Sequence, residues 1–146
     1  MDHNKYLKGD TAMKKSIAAI LVLTMILTMA SVATAASYAT TKLDRGTGMY
    51  AGTATKTSGI GAASVVSPNS GSNTTALFQA TTRKKDGTNA SNTTRFQGLG
   101  TVTMTTKYDG NGDALLRTGY EYKLRIAHRS NSPVTSKAET HGNWEP

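Results

Sequence analysis

His128 and His141, together with Asp44, Asp86, Asp109, Asp113, Glu121, Glu139 and Glu145, are the titratable groups after residue 35 from which acid–base chemistry would have to be built. A hydrolase needs an imidazole beside a nucleophile and a carboxylate. Here His128 closes an alternating run and His141 lies on the polar side of another, so both are expected at the surface. No G-x-S-x-G elbow or H-E-x-x-H pair is present. Paired carboxylates could serve glycoside hydrolysis, but Asp44, Asp86, Asp109 and Asp113 all stand in turn sequences, which accounts for them. The chain has no cysteine, and this excludes thiol nucleophiles, redox pairs and cysteine-based zinc sites together. The expectation is a protein that is not an enzyme and carries no cofactor or metal.

Asp109-Gly110-Asn111-Gly112-Asp113 opens like a calcium loop, with oxygen ligands at the first, third and fifth positions. The sixth position is Ala114 and the twelfth Tyr120, where the pattern requires glycine and glutamate. The same residues read better as a tight turn, since Asp-Gly and Asn-Gly are strong hairpin dipeptides.

Binding chemistry has more material. Seventeen Lys and Arg against nine Asp and Glu set a net charge of +8, and 13 basic and 7 acidic residues follow residue 35. Arg83, Lys84 and Lys85, joined by Arg95, Lys123, Arg125 and Arg129, are the candidate basic surface. Tyr, Trp and Phe rings are present to stack on sugars. Such a surface suits an anionic cell-wall polymer, a polysaccharide or a membrane surface. Nucleic acid fits an exported domain less well.

Export is the strongest segment-level signal. Lys14 and Lys15 precede an apolar core from Ile17 to Ala30, and Ala33-Thr34-Ala35 matches the small-residue pattern read by signal peptidase, with cleavage before Ala36. Residues 1–12 form a polar extension, which makes Met13 the expected start of the export unit. Residues 13–35 are the signal peptide, and residues 36–146 are one domain, secreted or extracellular and of bacterial style.

The elements of that domain follow from a period of two. Helix-length apolar stripes are missing, threonine is abundant, and turn residues recur about every ten positions, as in all-β proteins. Strands are expected at 37–42, 49–56, 60–66, 75–83, 94–108, 118–129 and 134–144. In the fifth, Gly98 and Gly100 mark a bulge or the approach of a large ring. The last two are expected to pair as a hairpin around Ser130-Asn131-Ser132-Pro133, with Tyr120 facing Trp144 and Arg125 facing Glu139. Tyr120, Tyr122 and Trp144 are expected in the core. The predicted fold is a small antiparallel β-sandwich or barrel of about seven strands, preceded by a signal-peptide helix. The expected role is non-catalytic binding at the cell envelope; the second reading is a secreted cationic, bacteriocin-like toxin acting on membranes.

Overall fold

A computed structural model describes residues 35–57 and 63–146, so the signal segment, the polar extension and Ala33 lie outside the described residues. The described chain is all-β. Eight strands form two antiparallel four-stranded sheets, and no helix occurs among the described residues. The strands are β1 (Ala36–Ala39), β2 (Gly48–Thr55), β3 (Ser64–Pro68), β4 (Leu77–Lys84), β5 (Thr94–Gln97), β6 (Val102–Met104), β7 (Glu121–His128) and β8 (His141–Glu145). One sheet has the order β1-β8-β3-β6 and the other β2-β7-β4-β5.

Alternation decides which side chains go inside. Tyr122, Leu124 and Ile126 of β7, Phe78 and Ala80 of β4, and Phe96 of β5 are buried from one sheet. Tyr38, Val66, Met104 and Trp144 are buried from the other, and all ten belong to one hydrophobic cluster. Phe78 stacks on Phe96 with ring centroids 5.5 Å apart.

Large apolar side chains are scarce, so hydroxyl groups enter the interior and must find partners there. The Ser64 hydroxyl accepts hydrogen bonds from the Trp144 indole N–H (2.8 Å) and from the Thr82 hydroxyl (2.7 Å) and donates to the Glu145 carbonyl (2.9 Å). That exhausts the bonding capacity of a hydroxyl. Since Thr82 lies on β4 and Ser64 on β3, the same group ties one sheet to the other. A second knot joins the Thr140 hydroxyl to Tyr38 and Ser72, each at 3.1 Å. Lys56 is also buried, its ammonium donating to the Pro146 carbonyl at 2.6 Å. Burial pushes that ammonium below its ordinary value, against the opposing pull of the Glu145 charge.

Three expectations are corrected here. The hairpin of 118–129 with 134–144 does not form: β7 lies between β2 and β4, while β8 lies between β1 and β3 in the other sheet. Trp144 pairs with Ala36 and Val66, and Arg125 with Tyr50 and Thr81. Tyr120 precedes β7 and is 60% exposed, whereas Tyr122 and Trp144 are buried as expected. Side-chain parity was satisfied by the proposed register, but parity only demands a common core, and two strands can face that core from opposite sheets. Residues 134–140 belong to the crossing segment, held by a bridge between Leu43 and Ala138.

The long strand 94–108 is likewise two strands in different sheets. Gly98 sits in the intervening turn with φ +72, a conformation L side chains rarely adopt, so it is a crossing point and not a bulge. Gly142 has a different reason: a Cβ there would collide with the Ser67 carbonyl oxygen, so β3 and β8 could not pair with any side chain at that position.

Trp144→Ala is expected to cost about 3–5 kcal/mol of stability, and Ser64→Ala about 1–3 kcal/mol by orphaning buried donors. Urea denaturation reads both. Midpoints within error of the wild type would place Trp144 and Ser64 outside the folded core.

Candidate functional site

Because even-numbered positions of β7 face the core, Glu121, Lys123 and Arg125 face outward, and the neighbouring strands bring matching rows beside them. Arg83 stands directly opposite Lys123, with Thr53 on the other side. Arg125 stands between Thr81 and Tyr50, and Gln79 between Ala127 and Arg95. Arg129 continues the outer row of β7, its backbone N–H bonded to the Leu77 carbonyl. Five cations, Arg83, Arg95, Lys123, Arg125 and Arg129, therefore share the outer face of β2-β7-β4-β5. Among the described residues, none of them has a carboxylate within ion-pair distance; the salt bridges formed are those of Arg117 and Lys137.

The aromatic partner of this face is Tyr50. Its ring lies 5.5 Å from the Lys123 ammonium, and its hydroxyl accepts from Arg83 at 3.4 Å. A register shift between Tyr50 and Gly52 makes this possible. It leaves Ala51 unpaired, so Met49, Gly52 and Ala54 face inward while Tyr50 and Thr53 face outward. Beside Arg125 and Arg129, a shallow recess of about 210 Å³ is walled by Gln79, Gly46 and Ser130.

The structure thus brings together Arg83, Arg125 and Arg129 of the expected basic surface, with Arg95 and Lys123. It does not bring Lys84 and Lys85 with them. Lys84 has the register of Tyr122, opposite in parity to Arg83, and Lys85 lies in the turn after β4. Both border a separate cleft of about 410 Å³ at the strand ends. Tyr50 and Gln79 were missed because nothing in a linear reading says that β2 and β4 flank β7, and because the Ala51 bulge reverses the parity of Tyr50.

The acid–base candidates are scattered or occupied. His128, expected at the surface, is fully buried: its ring packs on Phe78, and Nδ1 donates to the Leu43 carbonyl at 3.2 Å. Its even number already placed it with Tyr122, Leu124 and Ile126; residue type misdirected the expectation. His141 is half-buried on β8 of the other sheet. Asp109 accepts from the backbone N–H groups of Asn111 (2.9 Å) and Asp113 (3.0 Å), as the turn reading requires. Those bonds hold its carboxyl below the ordinary carboxylate value, as the Thr88 bonds do for Asp86. Arg117 closes the turn through Asp113 at 3.0 Å. Among the described residues, no three His, Asp or Glu side chains are grouped to hold a metal ion.

Ala36, the residue after the expected cleavage site, is the first residue of β1 and pairs with Trp144, while Ala35 is exposed. No family model, no curated protein and no solved structure matches this chain.

Because the folded-state pKa of Asp109 is depressed, its contribution to stability is fully present above the ordinary carboxylate value and is lost as pH falls through the lowered one. Denaturation midpoints of the wild type and Asp109→Asn are expected to differ at neutral pH and to converge in acid. A gap that persists unchanged below the carboxylate range would disprove the turn role of the ionised side chain.

Proposed function

We propose that this chain is an exported, non-catalytic binding module, folded as a β-sandwich, whose outer β2-β7-β4-β5 face holds an anionic polymer of the cell envelope. The observation that carries the reading is Arg83 directly opposite Lys123 on two central strands. Like charges in that relation disfavour the sheet by roughly 0.2–1 kcal/mol. The usual structural reason for surface lysines and arginines in β proteins is protection of edge strands. That reason does not apply to β4 or β7, which are both paired on either side. A polyanion laid across the face turns the repulsion into attraction.

Two further observations support the reading. The two sheets differ in charge: β1, β8, β3 and β6 carry no Lys or Arg, their outward positions include Ser37, Ser67, Thr103, Asn143 and Glu145, and Ser67 bonds Thr101 hydroxyl to hydroxyl at 3.1 Å. In addition, Asp86 and Asp109 are tied into turns with lowered pKa values, the reverse of what a general acid in glycoside hydrolysis requires. The signal segment at 13–35 would deliver the domain to the compartment where such polymers occur.

Residues 36–146 are expected to bind immobilised polygalacturonate and inorganic polyphosphate, both more weakly as salt rises. The triple variant Arg83→Gln/Lys123→Gln/Arg125→Gln should weaken both by at least about tenfold, or about 1.4 kcal/mol, with its melting temperature equal to or above that of the wild type. Unchanged affinity in the triple variant would sink the proposal. So would release of dye from anionic vesicles at the concentrations that saturate binding, which would favour the membrane-active reading.

A further inference from the structure

The cleft bordered by Lys84 and Lys85 lies where β4 ends and β7 begins, one residue along each strand from the Arg83–Lys123 pair, with Lys84 and Tyr122 opposite in parity to that pair. Its volume of about 410 Å³ falls in the range of small-ligand pockets. One wall is already committed. The Arg117 guanidinium bonds the Ala114 carbonyl (2.8 Å) and the Asp113 carboxylate, and the Asp109 carboxylate is taken up by its turn. The Tyr122 hydroxyl beneath donates to the Leu115 carbonyl (2.8 Å) and accepts from the Arg117 N–H (2.7 Å), which locks the segment carrying Leu115 and Arg117 onto β7.

Against that fixed wall stand four groups whose side chains make no hydrogen bond or salt bridge among the described residues, namely the ammonium groups of Lys84 and Lys85, the Tyr120 hydroxyl and the Glu121 carboxylate, with Lys84 also within electrostatic reach of the Asp86 and Asp109 carboxylates of the lining. Tyr120, 60% exposed overall, and Leu115 both lie in the lining. An open aromatic ring offers a flat apolar surface with a polar rim. Two ammonium groups attract one carboxylate, and a carboxylate such as Glu121 accepts hydrogen bonds from hydroxyl donors. A ligand that satisfies all four is a ring with an apolar face, an anionic substituent and free hydroxyl groups.

We propose that this cleft is a subsite for one uronate ring, and therefore that the polymer held by the basic face is an acidic polysaccharide. The proposal rests on the face reading of the preceding subsection and deepens it. A phosphodiester chain can satisfy the five cations of the face, but it presents no carboxylated pyranose to Tyr120, Lys84 and Glu121. The cleft discriminates among polyanions; the face supplies attraction that any of them shares.

The test uses residues 36–146 and two probes, trigalacturonate and inorganic polyphosphate, followed by calorimetry and by NMR of the tyrosine ring protons. Trigalacturonate is expected to bind, to shift the Tyr120 ring resonances, and to lose at least about tenfold in affinity in Tyr120→Ala and in Lys84→Gln/Lys85→Gln. Polyphosphate binding should be unaffected by Tyr120→Ala. Tyr120 and Lys85 are exposed and Lys84 is half-buried, and a melting temperature equal to that of the wild type verifies that both variants fold. Trigalacturonate binding that is lost in the Arg83/Lys123/Arg125 variant yet indifferent to Tyr120→Ala and Lys84→Gln/Lys85→Gln overturns the uronate subsite and leaves the face standing. Failure of both probes to bind overturns subsite and face together.

Discussion

The Ser64 hydroxyl is the constraint on which the two-sheet arrangement turns. It bonds Trp144 and Glu145 on β8 and Thr82 on β4, so the position of the largest buried ring and the distance between sheets are set by one oxygen atom. Thr82 is in turn fixed by its neighbours, since its backbone N–H donates to the Ser91 hydroxyl and its carbonyl accepts from Ala90 and Ser91. A core with few large aliphatic side chains has less hydrophobic area to draw on. Its specificity comes from satisfied buried hydroxyls, which tolerate few alternative geometries.

The functional face follows from that constraint. With Trp144 of β8 tied to Thr82 of β4 through the Ser64 hydroxyl, β7 lies inside the opposite sheet between β2 and β4, and its even-numbered side chains fill the remaining core. Lys123 and Arg125 are left with no place but the outer surface, beside Arg83 and below Tyr50. The cationic cluster is a consequence of core packing on the other side of the same strands. The Ala51 bulge adds the one aromatic ring that a strict alternation would have kept inside.

Turn chemistry contributes to the same field. Asp86 and Asp109 accept backbone N–H bonds in their own turns, Asp113 pairs with Arg117, and Asp44 pairs with Lys137 at 3.5 Å. Four of the seven acids after residue 35 are thereby removed from the strands. Among the described residues the arginines of the sheet face form no salt bridge, and stability without any disulfide rests on hydrogen bonds and packing. The two roles of the polar residues are coupled: acids that shape the loops are unavailable to neutralise the face.

Composition and a period of two were enough to read an all-β chain, the positions of β1, β2, β4 and β7 to within a few residues, and the burial of Tyr122 and Trp144. Those features are local, because alternation and turn propensity act between residues close in sequence. Strand partnership was not legible. Consecutive strands here cross between sheets at nearly every step, β4 and β5 being the one successive pair in a common sheet, and parity looks the same whether a strand faces the core from one side or the other. Hence the 118–144 hairpin, the unbroken 94–108 strand and a surface His128 all satisfied or ignored local pattern and were decided otherwise by packing. The union of Arg83, Lys123 and Tyr50, and the separation of Lys84 and Lys85 into a cleft with Tyr120, depend on contacts between residues tens of positions apart, which only the closed core selects.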